Sequence, residues 1–295
     1  MVTTYSALPV TADAYRLAEG PVWDPDRDRL LWVDIEAGQV HEGDFRDGTL
    51  THTRVHEFPD RVGAVVPARD GSLLVAAHDR LVLLGAARRQ TLGEPRLPAG
   101  KNSRFNDGGC DPAGRFLIGS MALDDRRGEE VLYRLETDGS VNEVDNDLSL
   151  SNGLCWSPDG SMMYSIDTTP GTVWVRDYDG TDGSTGPRRI LLQLPEVSPD
   201  GMCADVHGNL WIAIFGAGEV RCYSPAGDRL ATVLVPAPNT SSVAFIGREL
   251  DTLLITTGRE GLSAAQLAEF PDSGKLFTAN VGVRGLPSTP WRGLG

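Results

Sequence analysis

A short phrase returns six times along the chain, and its period limits the available folds more than any other property. The copies are Gly20-Pro21-Val22-Trp23, Gly63-Ala64-Val65-Val66, Gly108-Gly109-Cys110-Asp111, Gly153-Leu154-Cys155-Trp156, Gly201-Met202-Cys203-Ala204 and Ser242-Val243-Ala244-Phe245. Each opens with glycine or serine and has a small apolar residue two places on. Five run through a turn into a second apolar strand, as Asp159-Gly160 does before Met162-Met163-Tyr164. The sixth does so through Gly247 and Arg248-Glu249 before Leu253. The units start at 20, 63, 108, 153, 201 and 242, spacings of 41 to 48 residues. A period in this range marks a repeat architecture, and two short strands joined by a turn in each unit point to propeller blades. The expected fold is all-β, a six-bladed β-propeller occupying residues 1–295 as one domain.

Composition agrees with that and removes several functions. Apolar residues make up 40% and charged residues 23%, enough for a real core. The 34 glycines and 19 prolines sit at regular turn positions, which argues for many short strands rather than disorder. A net charge of -14 repels phosphate backbones, so nucleic acid is not an expected partner. Four cysteines form no C-x-x-C pair; Cys110, Cys155 and Cys203 recur where other units place Val22, Val65 and Ala244, so they read as small packing residues. The first residues lack the charged and apolar regions of a signal peptide, and no apolar run is long enough to cross a bilayer. The expectation is a cytoplasmic protein without a membrane partner, a monomer or weak homo-oligomer.

Between the units the pattern predicts outer strands at 131–135, 172–175, 219–223 and 275–279. Tyr5-Ser6-Ala7-Leu8 is expected to pair with the last blade and close the ring, which removes two exposed sheet edges. One short helix is expected from Ser263 to Glu269, with Ser263 as N-cap. Two connections exceed a tight turn. Residues 179–189 read as a solvated loop. Residues 122–130 read either as the same or as a lid, because they follow a candidate site strand.

In a propeller the turn entering each inner strand opens on one face, so the residues before the repeat glycine should converge on the axis. They are Glu19, Val62, Asp107, Asn152, Asp200 and Ser241. Strand propensity disfavours Asp, Asn and Glu, so their recurrence here needs another cause. One explanation is a solvated acidic funnel. The other is a hard-cation site, in which carboxylates and an amide oxygen replace part of a metal's hydration shell. Arg104 and Asn106 lie beside the ring and suit a polyhydroxylated or carboxylate-like ligand; alternatively, Arg104 pairs with a ring carboxylate. The histidines, His41, His52, His56, His78 and His207, fall off the ring, and no Gly-x-Ser-x-Gly element or Cys/His pair offers a covalent nucleophile.

Four stretches together resemble the SMP-30/gluconolactonase/regucalcin-like family: Glu19-Gly20-Pro21-Val22-Trp23, Arg104-Phe105-Asn106-Asp107-Gly108, Ser151-Asn152-Gly153-Leu154 and Pro199-Asp200-Gly201-Met202. The resemblance extends to Gly282-Val283-Arg284-Gly285-Leu286-Pro287. It implies one divalent metal ion in the central channel, of calcium, zinc, magnesium, manganese or iron(II), and hydrolysis of a small-molecule sugar lactone. It further implies Glu19, Asn152 and Asp200 as metal ligands, Asp200 as the group assisting water attack, and Arg104 and Asn106 as contacts to substrate hydroxyls. Asp107 would stand behind the ligands. A glutamate of the family is replaced here by Asp124, one methylene shorter, as a further substrate contact. Two other readings are a hydrolase of non-sugar lactones or phosphotriesters on the same fold, and a calcium-binding propeller without turnover.

Overall fold

The computed structural model describes residues 2–85, 88–97, 100–124 and 126–295. Six sheets follow one another in chain order, each of four antiparallel strands, and the fifth gains one more strand in parallel. The fourth blade shows the plan: Ser151–Trp156 innermost, then Met162–Asp167, Thr172–Asp177 and Arg189–Gln193 outermost. The other inner strands are Ala18–Asp24, Val62–Pro67, Ser103–Cys110, Ser198–Ala204 and Thr240–Ile246, so every repeat glycine or serine lies on one. The expected six-bladed β-propeller is the observed fold.

Alternation along these strands sends side chains to two different neighbours, and the core is correspondingly divided. Six apolar clusters occupy the six blade boundaries. Between the fourth and fifth blades, Tyr164 and Ile166 meet Met202 and Ile212. Between the sixth and first, Ile246 and Leu254 meet Trp23 and Trp32. Burying each sheet on both faces favours apolar residues in the second strands, as in Leu30–Val33, and the buried polar exceptions Ser120 and Thr256 are hydrogen-bonded.

The N-terminus closes the ring differently from expectation. Leu8–Pro9 does complete the last blade, with Leu8 opposite Thr278. Thr3–Ser6, however, lies parallel to Arg229–Leu234 of the fifth blade, with Tyr5 opposite Val233. The segment expected as one strand thus splits at Ala7 and covers two sheet edges, and Ala7 itself is buried in the cluster between those two blades. The short helix is present as Ala264–Glu269, with the Ser263 hydroxyl accepting from the Gln266 amide in a capping box.

Residues 179–189 are anchored rather than merely solvated. The Gly180 and Thr181 carbonyls accept from the Arg115 guanidinium and the Gly183 carbonyl from Arg134, both on the third blade. Two buried guanidinium groups need acceptors, and the loop supplies them. In 122–130, Arg126 donates to the Asp124 carboxylate and the Asn102 carbonyl, and the Gly128 amide donates to Ser149. Asp125 of that loop lies outside the described residues.

Every inner strand slips register against its neighbour at the same level: between Glu19 and Val22, Val62 and Ala64, Phe105 and Gly108, Asn152 and Leu154, Pro199 and Met202, and Thr240 and Ser242. Such bulges bend a strand and re-aim its side chains. They also bring backbones close. A methyl group on Gly153 would lie 2.7 Å from the Asp200 carbonyl, and one on Gly201 2.0 Å from the Ser242 hydroxyl. Gly63, Gly153 and Gly201 are therefore contacts through which successive inner strands touch near the axis.

Candidate metal centre

The bulges deliver buried polar groups from four blades. Glu19, Arg104, Asn106, Asn152 and Asp200 are each 4–7% exposed, although none has the composition of a core residue. Two further carboxylates fix the chain as it enters the ligand-bearing strands. Asp34 accepts from the Arg16 and Leu17 amides, just ahead of Glu19, and Asp167 accepts from Ser149 and Leu150, just ahead of Asn152.

A directed set of hydrogen bonds crosses the third, fourth and fifth blades. Arg104 Nη1 donates to Asn106 Oδ1 at 2.6 Å and to the Phe105 carbonyl at 2.9 Å. Asn106 Nδ2 donates to Asn152 Oδ1 at 3.0 Å and to the Ser151 carbonyl at 2.9 Å. Asn152 Nδ2 donates to Thr168 Oγ1 at 2.9 Å, and that hydroxyl donates to the Pro199 carbonyl at 2.6 Å. Asn106, rather than Asp107, therefore faces the fourth blade in the third. The bulge between Phe105 and Gly108 moves the ring position one residue earlier than the repeat alone suggests.

Asp107 instead lines a cavity of about 390 Å³ that continues along the axis among Val22, Leu154, Met202 and Val243. Cys110, Cys155 and Cys203 line the same cavity, so the recurring thiols are not confined to a closed core slot. Burial pushes all three thiols up and keeps them protonated.

Electrostatics binds the carboxylates into one group. Burial, then the charge of Asp107, raises Glu19 to about 8. Burial raises Asp107 to about 6. Asp200 stands well above its ordinary value, from burial first and then the charges of Glu19 and Asp107. Arg104 is lowered to about 10, chiefly by burial, with Arg61 acting in the same sense and Glu36, Glu19 and Asp200 opposing it. Among the described residues no carboxylate lies within ion-pairing distance of Arg104, which rules out the simple pairing considered from sequence. Its Nε is buried without a partner.

Among the described residues no three His, Cys, Asp or Glu side chains are grouped as a set of metal ligands, but Glu19, Asp200 and the Asn152 amide oxygen, which keeps a free lone pair, are oxygen donors of the kind a hard divalent cation takes. A bound dication would remove the repulsion that raises the acids. Asp124 is not brought into this group. It is exposed, and both of its oxygens accept from Arg126 Nε, at 2.8 and 3.0 Å. Three of the histidines are engaged within the first blade. His41 and His52 bond each other at 3.0 Å on the first blade, and His56 bonds Glu42. Sequence reasoning missed Thr168, since a lone threonine in Asp167-Thr168-Thr169-Pro170 carries no signal of its contacts. It placed Ser241 on the ring without seeing that its hydroxyl donates to the Ala18 carbonyl at 2.6 Å.

The fold and the site together define a six-bladed propeller with a buried oxygen-donor centre at one level of its axis. The SMP-30/Gluconolactonase/LRE-like region matches residues 17–259, and the chain belongs to that family. Regucalcin of Danio rerio is 34% identical over 290 residues, covering 96% of this chain and 97% of that one. The 6-deoxy-6-sulfogluconolactonase of Pseudomonas putida is 38% identical over 276 residues, covering 91% and 92%. A crystal structure of a calcium-binding protein, regucalcin, from Agrobacterium tumefaciens superposes with a TM-score of 0.90 at 28% identity, covering 99% of each chain. Among the described residues no helix is long and apolar enough to cross a membrane.

Proposed function

We propose that this protein is a metal-dependent lactonase that opens sugar lactones, aldonolactones in particular, to the corresponding aldonic acids. The observation that carries the reading is a buried guanidinium without an ion pair, Arg104, held beside an all-oxygen group of mutually repelling carboxylates. A scaffold has no use for a cation kept free of its nearest anions, whereas a polyhydroxylated substrate with a carbonyl to polarise does. The lactonase named among its relatives supports the substrate class.

Glu19, Asn152 and Asp200 would hold one divalent cation, of calcium, magnesium, manganese, iron(II) or zinc. When bound, that cation supplies positive charge where a lactone carbonyl gathers negative charge, and it acidifies water. The remaining work belongs to the chain. Asp200 accepts the proton of the attacking water, a task that suits a carboxylate made more basic by burial and by the charges of Glu19 and Asp107. Arg104 Nε directs a donor at a substrate oxygen, while Asn106, its NH₂ committed to Ser151 and Asn152, offers the free lone pair of Oδ1 to a substrate hydroxyl, and together they hold the ring in one orientation. Asp107 stands behind Glu19 and Asp200 and tunes their charge. Asp124, at the rim with Arg126, meets the far end of the sugar, and engagement would exchange part of that ion pair for a hydroxyl. A lactone is an activated ester, so polarisation and positioning suffice without a covalent nucleophile. A cytoplasmic setting suits the four free cysteines.

The test is hydrolysis of an aldonolactone panel by purified protein, with and without chelator. Turnover that chelator abolishes and a divalent ion restores is the expected result; no chelator-sensitive turnover of any member would end the proposal. The calcium-binding description of the Agrobacterium relative favours a second reading, ion binding without turnover. Tight calcium binding together with a silent panel would select it.

A further inference from the structure

The carbonyl immediately before each of the three proposed ligands is held by a side chain from another blade. Ala18 O, before Glu19, accepts from the Ser241 hydroxyl of the sixth blade at 2.6 Å. Ser151 O, before Asn152, accepts from Asn106 Nδ2 of the third blade at 2.9 Å. Pro199 O, before Asp200, accepts from Thr168 Oγ1 of the fourth blade at 2.6 Å. Each clamp sits at the bulge that turns the following side chain toward the axis.

Thr168 differs from the other two because it touches both neighbouring ligand residues. Its single hydroxyl proton goes to Pro199 O, so its lone pair accepts from Asn152 Nδ2 at 2.9 Å. The direction of these bonds is not free. Arg104 has donors only, so Asn106 must turn its oxygen to Arg104 and its NH₂ to Asn152. Asn152 must then present its oxygen to Asn106 and its NH₂ to Thr168. A flipped Asn152 amide would set NH₂ against NH₂ on one side and leave the Thr168 lone pair without a donor on the other. Thr168 thus closes a chain that begins at a permanent cation and fixes which atom of Asn152 is offered as a ligand. The same hydroxyl docks the strand carrying Asp200.

We infer that Thr168 is a positioning residue of the metal centre, orienting the Asn152 amide oxygen and seating the Asp200 strand while touching neither metal nor substrate. This rests on the metal-binding reading proposed above. Partners that orient metal ligands typically change affinity by about 10–100-fold when removed, because the ligands then lose preorganisation.

The experiment titrates chelator-stripped protein with calcium, manganese or zinc by calorimetry and records the melting temperature of the metal-free protein alongside. Thr168→Val keeps the shape and removes the hydroxyl; it is expected to weaken metal binding by about 10–100-fold, while Thr168→Ser stays within about threefold of wild type. Unchanged metal affinity in Thr168→Val, whatever its melting temperature, would overturn the inference and leave Thr168 a packing residue. If Thr168→Val does not fold, Thr168→Ala takes its place and the same equality overturns it. Wild-type protein that binds none of the three ions would remove the metal reading itself, a result distinct from a Thr168 variant behaving as wild type.

Discussion

Asn106 donates its amide nitrogen to the side-chain oxygen of Asn152 across 3.0 Å, joining the third blade to the fourth at the axis. On one side of this contact stands Arg104, and on the other Thr168 and the strand of Asp200. Groups proposed to meet substrate and groups proposed to hold the cation therefore share one hydrogen-bonded network. A change in either half should be felt in the other.

Asp200→Asn removes the proposed base and one metal ligand while preserving shape. Aldonolactone hydrolysis is expected to fall by at least about 10²–10⁴-fold, the usual contribution of a positioned general base. The metal-free variant should melt no lower than wild type, because one of three repelling acids has gone. A lower melting temperature in chelator would contradict the electrostatic description of the site.

The pH dependence of metal-free stability has a definite sign. Glu19 is raised from 4.5 to about 8 in the folded protein, and Asp107 and Asp200 are raised as well. The folded state then holds protons that the unfolded chain releases, so stability is fully present below about pH 4.5 and is lost as pH rises through about 8. Thermal melts in chelator at pH 5, 6.5 and 8 should show a falling contribution from this group. Saturating divalent ion should flatten the dependence, and binding near pH 7 should release protons measurable in weakly buffered solution.

Arg104→Lys keeps the charge but has one nitrogen where arginine has three, so the bonds that Nη1 makes to the Phe105 carbonyl and Asn106 and the free Nε donor cannot all be kept. Losing a charge-assisted hydrogen bond of about 1.5–3 kcal/mol predicts about a 10–100-fold fall in kcat/KM. Because the Asn106 amide loses its anchor, metal affinity should decline in the same variant. Wild-type kcat/KM and metal affinity together would show that Arg104 orders nothing.

Gly201→Ala tests the closeness of the inner strands. The added methyl would lie 2.0 Å from Ser242 Oγ and 2.5 Å from its Cβ. Overpacking of this kind costs about 1–3 kcal/mol, readable as a shift in urea midpoint. Asp200 is the adjacent residue, so metal affinity should drop with stability rather than independently of it.

Much of this was legible because a propeller repeats its errors as well as its rules. The spacing of Gly63, Gly153 and Gly201 revealed the blades, and the carboxylates and amides before the glycines revealed where the axis would be polar. What escaped was register. A bulge shifts the third blade by one residue, so Asn106 rather than Asp107 turns to Asn152. Thr168 was invisible because its two partners, Asn152 and Pro199, come from different blades. Likewise, nothing in Tyr5-Ser6-Ala7-Leu8 announces that it serves two sheets; parallel addition to an existing edge leaves no pattern in the added strand.

That division of the N-terminal segment has a consequence for how the ring is held shut. Leu8–Pro9 precedes all six inner strands in sequence yet pairs with Phe277–Ala279 of the last blade. On the other side of Ala7, Thr3–Ser6 ties the segment that leads into the first blade to Arg229–Leu234 of the fifth, so the ring is latched to two neighbouring blades at once. Pulling the strand apart at Ala7 would therefore loosen the fifth and sixth blades together, because one short segment completes both sheets.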